Sequence, residues 1–371
     1  MADAEAAGEH ARSSWAGDLL GVAAPVIVAP ARILIVSDAW RPQVNGVVRT
    51  LSTVSEALRG MGHTVEVIGP DRFRTVPLPT YPDIRLAVLP ARKLARMIEA
   101  FAPDTLHIAT EGPLGSAARA WAVTRRARFT TSFHTKFPEY VQARIGLPPA
   151  LAYRWLRRFH GAASGVMVGT RSLREELVGR GFANTRPWTR GVDLSLFRQI
   201  PHDAPVEDWG SLPRPLFLNV GRVAVEKNIR AFLDLDLPGS KIVVGDGPLL
   251  ARLRRDYPSV HFTGARYGDA LARCYAAADV FVFPSVTDTF GLVILEALAA
   301  GTPVAAFPVT GPLDVLAGTG DTVGAVDADL RAAALRALNA DRNACRAHAE
   351  RFSWEACANI FLSHLVPLHG D

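Results

Sequence analysis

Ten short apolar runs, each followed by residues of helical periodicity, constrain this chain more than any other feature. In the first half they span 33–37, 64–68, 105–109, 127–132 and 165–168; in the second, 216–220, 241–244, 260–263, 280–283 and 303–306. Runs this short, with no polar alternation, fit strands buried on both faces between layers of helices. Strands alternating with helices predict parallel sheets with right-handed crossovers. The polar, Pro-rich stretch 200–215 separates the two series and reads as a linker. The expected organisation is a disordered tail over 1–30, a Rossmann-like domain over 31–205, a second over 206–350, and a terminal helix over 351–371. Two such sheets facing one another form a cleft, with ligands beyond the carboxyl ends of the strands.

Composition excludes several classes. With 371 residues, 49% hydrophobic and 21% charged, the chain is an ordinary multi-domain globular protein. Its three cysteines, Cys274, Cys345 and Cys357, are too widely spaced for a disulfide framework or a zinc pattern, and point to a reducing compartment. No run of 18 apolar residues is present, and the first 21 residues lack the basic start and apolar core of a signal peptide. Charge is uneven: residues 31–200 hold 25 Lys and Arg against 12 Asp and Glu, whereas 201–371 hold 15 against 20. A basic first half suits an anionic partner such as nucleic acid, anionic lipid or an acidic acceptor. An Arg-rich composition explains part of the excess but not the asymmetry.

The stretch 284–301 carries the most chemistry. An apolar strand ends at Pro284, a polar loop holds Asp288, and a helix opens near Phe290, with Glu296 about two turns inside it. Gly291, Leu292 and the helix's first free amides make an anion site. Glu296, on a face of Leu, Ile and Ala, can hold a diol such as a ribose. Two acids that only cap and solvate would show the same letters. Earlier, Gly221 and Arg222 follow a strand and Lys227 is read as opening the next helix, an arrangement suited to a diphosphate leaving group. Gly46 lies in the first strand-to-helix loop and Gly245 after another strand; each lets a ligand approach the backbone. The loop at Gly46 is not a GxGxxG fingerprint, which counts against a dehydrogenase. His134 follows a strand's carboxyl end, and Asp193 suits a tight turn.

These segments, in this order, resemble the retaining glycosyltransferases of family 4, which have the GT-B fold. The resemblance rests on the acid-x7-acid motif from Asp288 to Glu296, the 41–46 loop, Ser132 to Thr135, Arg190 to Asp193, Gly221 to Asn228 and Val244 to Pro248, and covers about 31–366. One departure stands out: the family usually has Glu where this chain has Asp288. The resemblance implies Arg222 and Lys227 on the diphosphate of a UDP- or GDP-sugar, and His134 on the sugar rather than as a general base. It also implies that no metal or other cofactor is needed and that the terminal helix packs back on the first domain. Glu139 and Tyr140 are candidates for the acceptor side.

From Leu151 to Phe159 a helical projection puts Leu151, Ala152, Trp155, Leu156 and Phe159 on one arc. Arg154, Arg157 and Arg158 fall opposite, with Tyr153 and His160 at a margin. Such arcs suit a helix on an anionic bilayer, and a core-facing helix with solvated arginines equally. Arg154, Trp155, Arg157 and Arg158 are the candidate membrane contacts. The expectation is a cytoplasmic enzyme, peripheral on the inner face of the cell membrane. It would move a hexose to a lipid or glycan hydroxyl without binding nucleic acid. A sugar-nucleotide epimerase and a non-catalytic sugar-nucleotide sensor are the alternatives.

Overall fold

Strand β1 (Arg32–Val36) shows why the apolar runs lack alternation. Leu34 and Val36 face one hydrophobic cluster and Ile33 and Ile35 another, and all four are fully buried. The computed structural model describes residues 30–369 apart from 44, 79–80, 135–147, 203–205, 211 and 289. Glu139, Tyr140 and the expected tail therefore lie outside the described residues.

One unit comprises residues 30–190 with 354–369. After β1 come β2 (Thr64–Ile68), β3 (Thr75–Leu78), β4 (Tyr81–Ala87), β5 (Thr105–Ile108), β6 (Thr130–Phe133), β7 (Gly165–Val168) and β8 (Thr185–Pro187). Its parallel sheet runs β2-β1-β5-β6-β7-β8, and β3 and β4 form a separate antiparallel pair. Helices Ala91–Phe101 and Pro113–Thr124 cover one face with Leu94, Ile98 and Leu114. On the other face, helices Gly46–Gly60 and Trp354–His364 bring Leu51, Val54 and Phe361 onto Ile33 and Ile35. The terminal helix is further fixed by the Trp188 indole, which donates to the Cys357 carbonyl at 3.1 Å.

The other unit, 191–353, holds β9 (Leu216–Val220), β10 (Ser240–Val244), β11 (His261–Gly264), β12 (Val280–Phe283), β13 (Val304–Ala306) and β14 (Gly324–Val326). These form a parallel sheet ordered β11-β10-β9-β12-β13-β14. Here too both faces are buried: Phe217, Val243 and Val282 join one cluster, and Leu218, Val244 and Phe283 the other.

All ten expected strands are present; the run at 127–132 shifts most, beginning at Thr130. Four were not expected. The β3–β4 pair contains Pro77 and is partly exposed, so it carries no apolar run. β8 and β14 are three-residue strands at sheet edges, formed because a neighbour offers hydrogen-bonding groups rather than by local preference. In each sheet the strand order reverses once, between β1 and β5 and between β9 and β12. The crevice outside the carboxyl ends at such a reversal is where open α/β sheets bind ligands.

Candidate active site

At the reversal point of the second unit, β9 and β12 are hydrogen-bonded neighbours, so the loops that follow them run side by side. Two side chains tie those loops together: Asn228 Nδ2 donates to the Pro284 carbonyl and Thr287 Oγ1 to the Glu226 carbonyl, both at 3.1 Å. The result is a bidentate ion pair, with Lys227 Nζ at 2.6 and 2.9 Å from Asp288 Oδ1 and Oδ2. The pair is partly open, with the two side chains 32% and 20% exposed.

One expectation is corrected here. Lys227 does not open a helix: it ends the 3₁₀ turn Val225–Lys227, Asn228 turns left-handed at φ 50°, and helix Arg230–Leu233 follows. Adjacent strands bring the loops that carry Lys227 and Asp288 into contact.

Arg222, in the same loop after β9, is half-buried. Gly221 N donates to the Val244 carbonyl at 3.0 Å, and Val223 N to the Asp246 carbonyl at 2.9 Å. A Cβ at Gly245, where φ is +150°, would lie 1.8 Å from the Gly221 carbonyl oxygen. Gly245 is thus required by the approach of two loops of the chain itself.

Phe290 is buried against Phe352, and Gly291, at φ +83°, starts helix Leu292–Ala299. Among the described residues no side chain caps that helix, so the amides beginning at Leu292 have no side-chain acceptor there. Glu296 is only 2% exposed, and the Tyr275 hydroxyl donates to its Oε2 at 2.9 Å. The sequence reading missed Tyr275; its signal is a lone hydroxyl-bearing ring in the Ala-rich helix Gly268–Ala277. It also missed Ser285, whose buried hydroxyl has no partner among the described residues. Among those residues no cluster of three His, Cys, Asp or Glu side chains could hold a metal ion.

In the first unit, Gly46 begins its helix, but Asn45 Oδ1 already accepts from Val47 N and Val48 N, each at 3.0 Å. An anion expected beside Gly46 would therefore meet amides already capped. His134, just past β6, is held on both sides: Nε2 lies 2.8 Å from Ser132 Oγ, and Arg190 donates to Nδ1 at 3.3 Å. A guanidinium can only donate, so the neutral ring carries its proton on Nε2 and gives it to Ser132. Burial, then Arg190, His107 and His160, hold the His134 pKa well below the usual histidine value. Asp193 caps its own turn, Oδ1 accepting from Ser195 N and Leu196 N at 3.0 Å each.

The helix Pro149–His160 divides differently from the projected arcs. Tyr153, Leu156, Phe159 and His160 are buried, while Leu151 and Trp155 remain 50% and 45% exposed beside Arg154, Arg157 and Arg158. Phe159 and Leu156 belong to the core, and Tyr153 and His160 are not marginal. The exposed stripe is Leu151, Arg154, Trp155 and Arg158, at i, i+3, i+4 and i+7. Among the described residues no helix is long and apolar enough to cross a membrane.

Comparison with known proteins fits this geometry. Residues 44–196 match the family model described as Glycosyltransferase Family 4, and 214–341 match Glycosyl transferases group 1. A GDP-mannose-dependent alpha-mannosyltransferase of Mycobacterium tuberculosis is 32% identical, over 77% of this chain and 81% of the relative. An alpha-monoglucosyldiacylglycerol synthase of Streptococcus pneumoniae is 28% identical over 74% of this chain and 70% of its own length. The solved structure of a sucrose-phosphate synthase from Thermosynechococcus elongatus superposes with a TM-score of 0.65 at 22% identity, covering 88% of this chain and 96% of that one. The fold together with these relatives marks the chain as a GT-B glycosyltransferase that uses a nucleotide sugar. The chain belongs to glycosyltransferase family 4.

Proposed function

We propose that this enzyme transfers a hexose, with retention of configuration, from a UDP- or GDP-sugar to a hydroxyl of a membrane lipid. The observation that carries the reading is the set of opposed charges at the second sheet's reversal point: Lys227 paired with Asp288, with the half-buried Arg222 in the same loop as Lys227. Breaking the anomeric bond puts negative charge on the diphosphate. Arg222, Lys227 and the first amides of helix Leu292–Ala299 stabilise that charge in a role that calls for no metal ion. Glu296, held by Tyr275, takes the ribose diol, and Asp288 orients the sugar. His134 contacts the sugar as a neutral ring and is not a proton acceptor.

The lipid acceptor is supported by a relative named for diacylglycerol glucosylation and by the exposed Leu151 to Arg158 stripe. Arginines beside an exposed Leu and Trp suit peripheral attachment to an anionic leaflet, on the cytoplasmic side. The test is nucleotide release from UDP-glucose and GDP-mannose, with phosphatidylcholine–phosphatidylglycerol vesicles carrying dioleoylglycerol, phosphatidylinositol or neither. Release that depends on an added acceptor lipid is expected. Release that is equal without acceptor would instead indicate donor hydrolysis; no release with the donor converted to its epimer would indicate an epimerase, and no release with the donor unchanged a sensor.

A further inference from the structure

The reversal point of the first sheet, between β1 and β5, carries two acids of opposite fate. Asp38, just past β1, is 7% exposed, and its oxygens are taken by Leu114 N at 2.8 Å, Gly115 N at 3.1 Å and the Thr110 hydroxyl at 3.0 Å. It is the resident anion at the start of helix Pro113–Thr124; a Cβ at Gly112 would lie 2.5 Å from its carboxyl carbon.

Glu111, just past β5, is placed differently. Its Oε1 lies 3.1 Å from His160 Nε2, and its side chain is 22% exposed while that of His160 is wholly buried. The carboxylate cannot donate, so His160 Nε2–H does, and the other ring nitrogen lies 2.9 Å from Thr131 Oγ1. Phe133, Phe159 and Phe182 box the imidazole at centroid distances of 5.8, 5.1 and 6.0 Å. Arg119 pins the end of helix Pro149–His160, which carries that imidazole, by donating to the carbonyls of Phe159 and Arg158, both at 2.9 Å. A fixed imidazole therefore aims one carboxylate oxygen, while Oε2 has no protein donor among the described residues.

We infer that Glu111, aimed by His160, is the group that accepts a hydrogen bond from a hydroxyl of the acceptor. The inference rests on the transferase reading above and deepens it. A carboxylate backed by one N–H and left with open lone pairs selects a hydroxyl donor. His134 lies just past the neighbouring strand β6, so the two residues lie at the same, carboxyl, end of the sheet. Glu111 contributes recognition and His160 positioning.

Two measurements separate this proposal from the transferase reading. With the vesicle acceptor used in the nucleotide-release assay, Glu111→Gln should raise acceptor KM at least tenfold while leaving UDP or GDP affinity unchanged. His160→Gln, which retains an N–H donor, should raise KM less and spare kcat. Independently of turnover, saturation-transfer NMR on the nucleotide-loaded protein should show contact with glycerol or myo-inositol, lost in Glu111→Gln. An active Glu111→Gln enzyme with wild-type acceptor KM overturns the assignment and leaves the transferase reading intact. So does a polyol signal that survives the substitution. A Glu111-dependent polyol signal without transfer to either lipid supports the assignment and overturns the lipid acceptor.

Discussion

Lys227 and Asp288 are 61 residues apart in sequence, yet the Lys227 ammonium bridges both Asp288 carboxylate oxygens at 2.6 and 2.9 Å. The pair joins the loops after two adjacent parallel strands, where the proposed function puts the diphosphate. An incoming diphosphate and Asp288 therefore compete for, or share, one cation.

That competition has a sign. Asp288→Asn should leave nucleoside diphosphate affinity equal or higher, because Lys227 loses its internal counter-charge, while sugar transfer falls. Lys227→Ala and Arg222→Ala should each cost about 2–4 kcal/mol in the barrier, the scale for losing one preorganised group that stabilises transition-state charge. Calorimetry with UDP and GDP, beside steady-state rates, reads both effects. Weaker nucleotide binding in Asp288→Asn would show that the carboxylate itself belongs to the nucleotide site.

Glu296 is almost fully buried and takes a proton donor from Tyr275. Glu296→Gln should weaken nucleoside diphosphate binding. Tyr275→Phe should act mainly on stability: losing a hydrogen bond to a charged group costs about 1.5–3 kcal/mol. Melting curves with and without nucleotide distinguish the two, and unchanged affinity in Glu296→Gln would remove the ribose contact.

Acid should destabilise the first unit before its carboxylates titrate. His107 is fully buried between Thr130 and Ser132, at 2.9 and 3.1 Å, and burial, followed by Arg190, pushes its pKa down to about 3. The unfolded chain protonates this ring below its ordinary value of 6.5, so under that pH the unfolded state binds more protons. Stability then falls by about 1.4 kcal/mol per pH unit from 6.5 down toward 3 for this one group. Thermal melts at pH 7 and 5 should show the loss, and His107→Gln should reduce it. An identical decrease in the variant would assign the effect to other groups.

The exposed helix stripe makes a fourth case. Leu151→Ser with Trp155→Ser should reduce binding to phosphatidylglycerol vesicles without unfolding the protein. Arg154→Ser with Arg158→Ser should reduce it by about 1 kcal/mol per arginine, an effect that weakens with salt. Phe159→Ala, at a buried position, should instead cost about 3–5 kcal/mol of stability. Sedimentation that ignores all four surface changes would remove the stripe from membrane binding.

Much of this was legible from letters alone. Ile33, Leu34, Ile35 and Val36 are apolar in succession because both sides of β1 are covered, so the parallel sheets and their order of helices could be read directly. The spacing from Asp288 to Glu296 survives as a loop acid and a helix acid because it is local. Pairings across the chain left no such trace. Lys227 with Asp288, Tyr275 with Glu296 and Glu111 with His160 each join residues from different elements. The helix Pro149–His160 makes the same point on one element. Its periodicity is set by sequence, but whether Trp155 or Tyr153 turns inward depends on what packs against it. Local preference marks the buried strands and the helices; the packed sheets add edge strands such as β8 and β14 and decide which charges meet, because strand order sets which loops are neighbours.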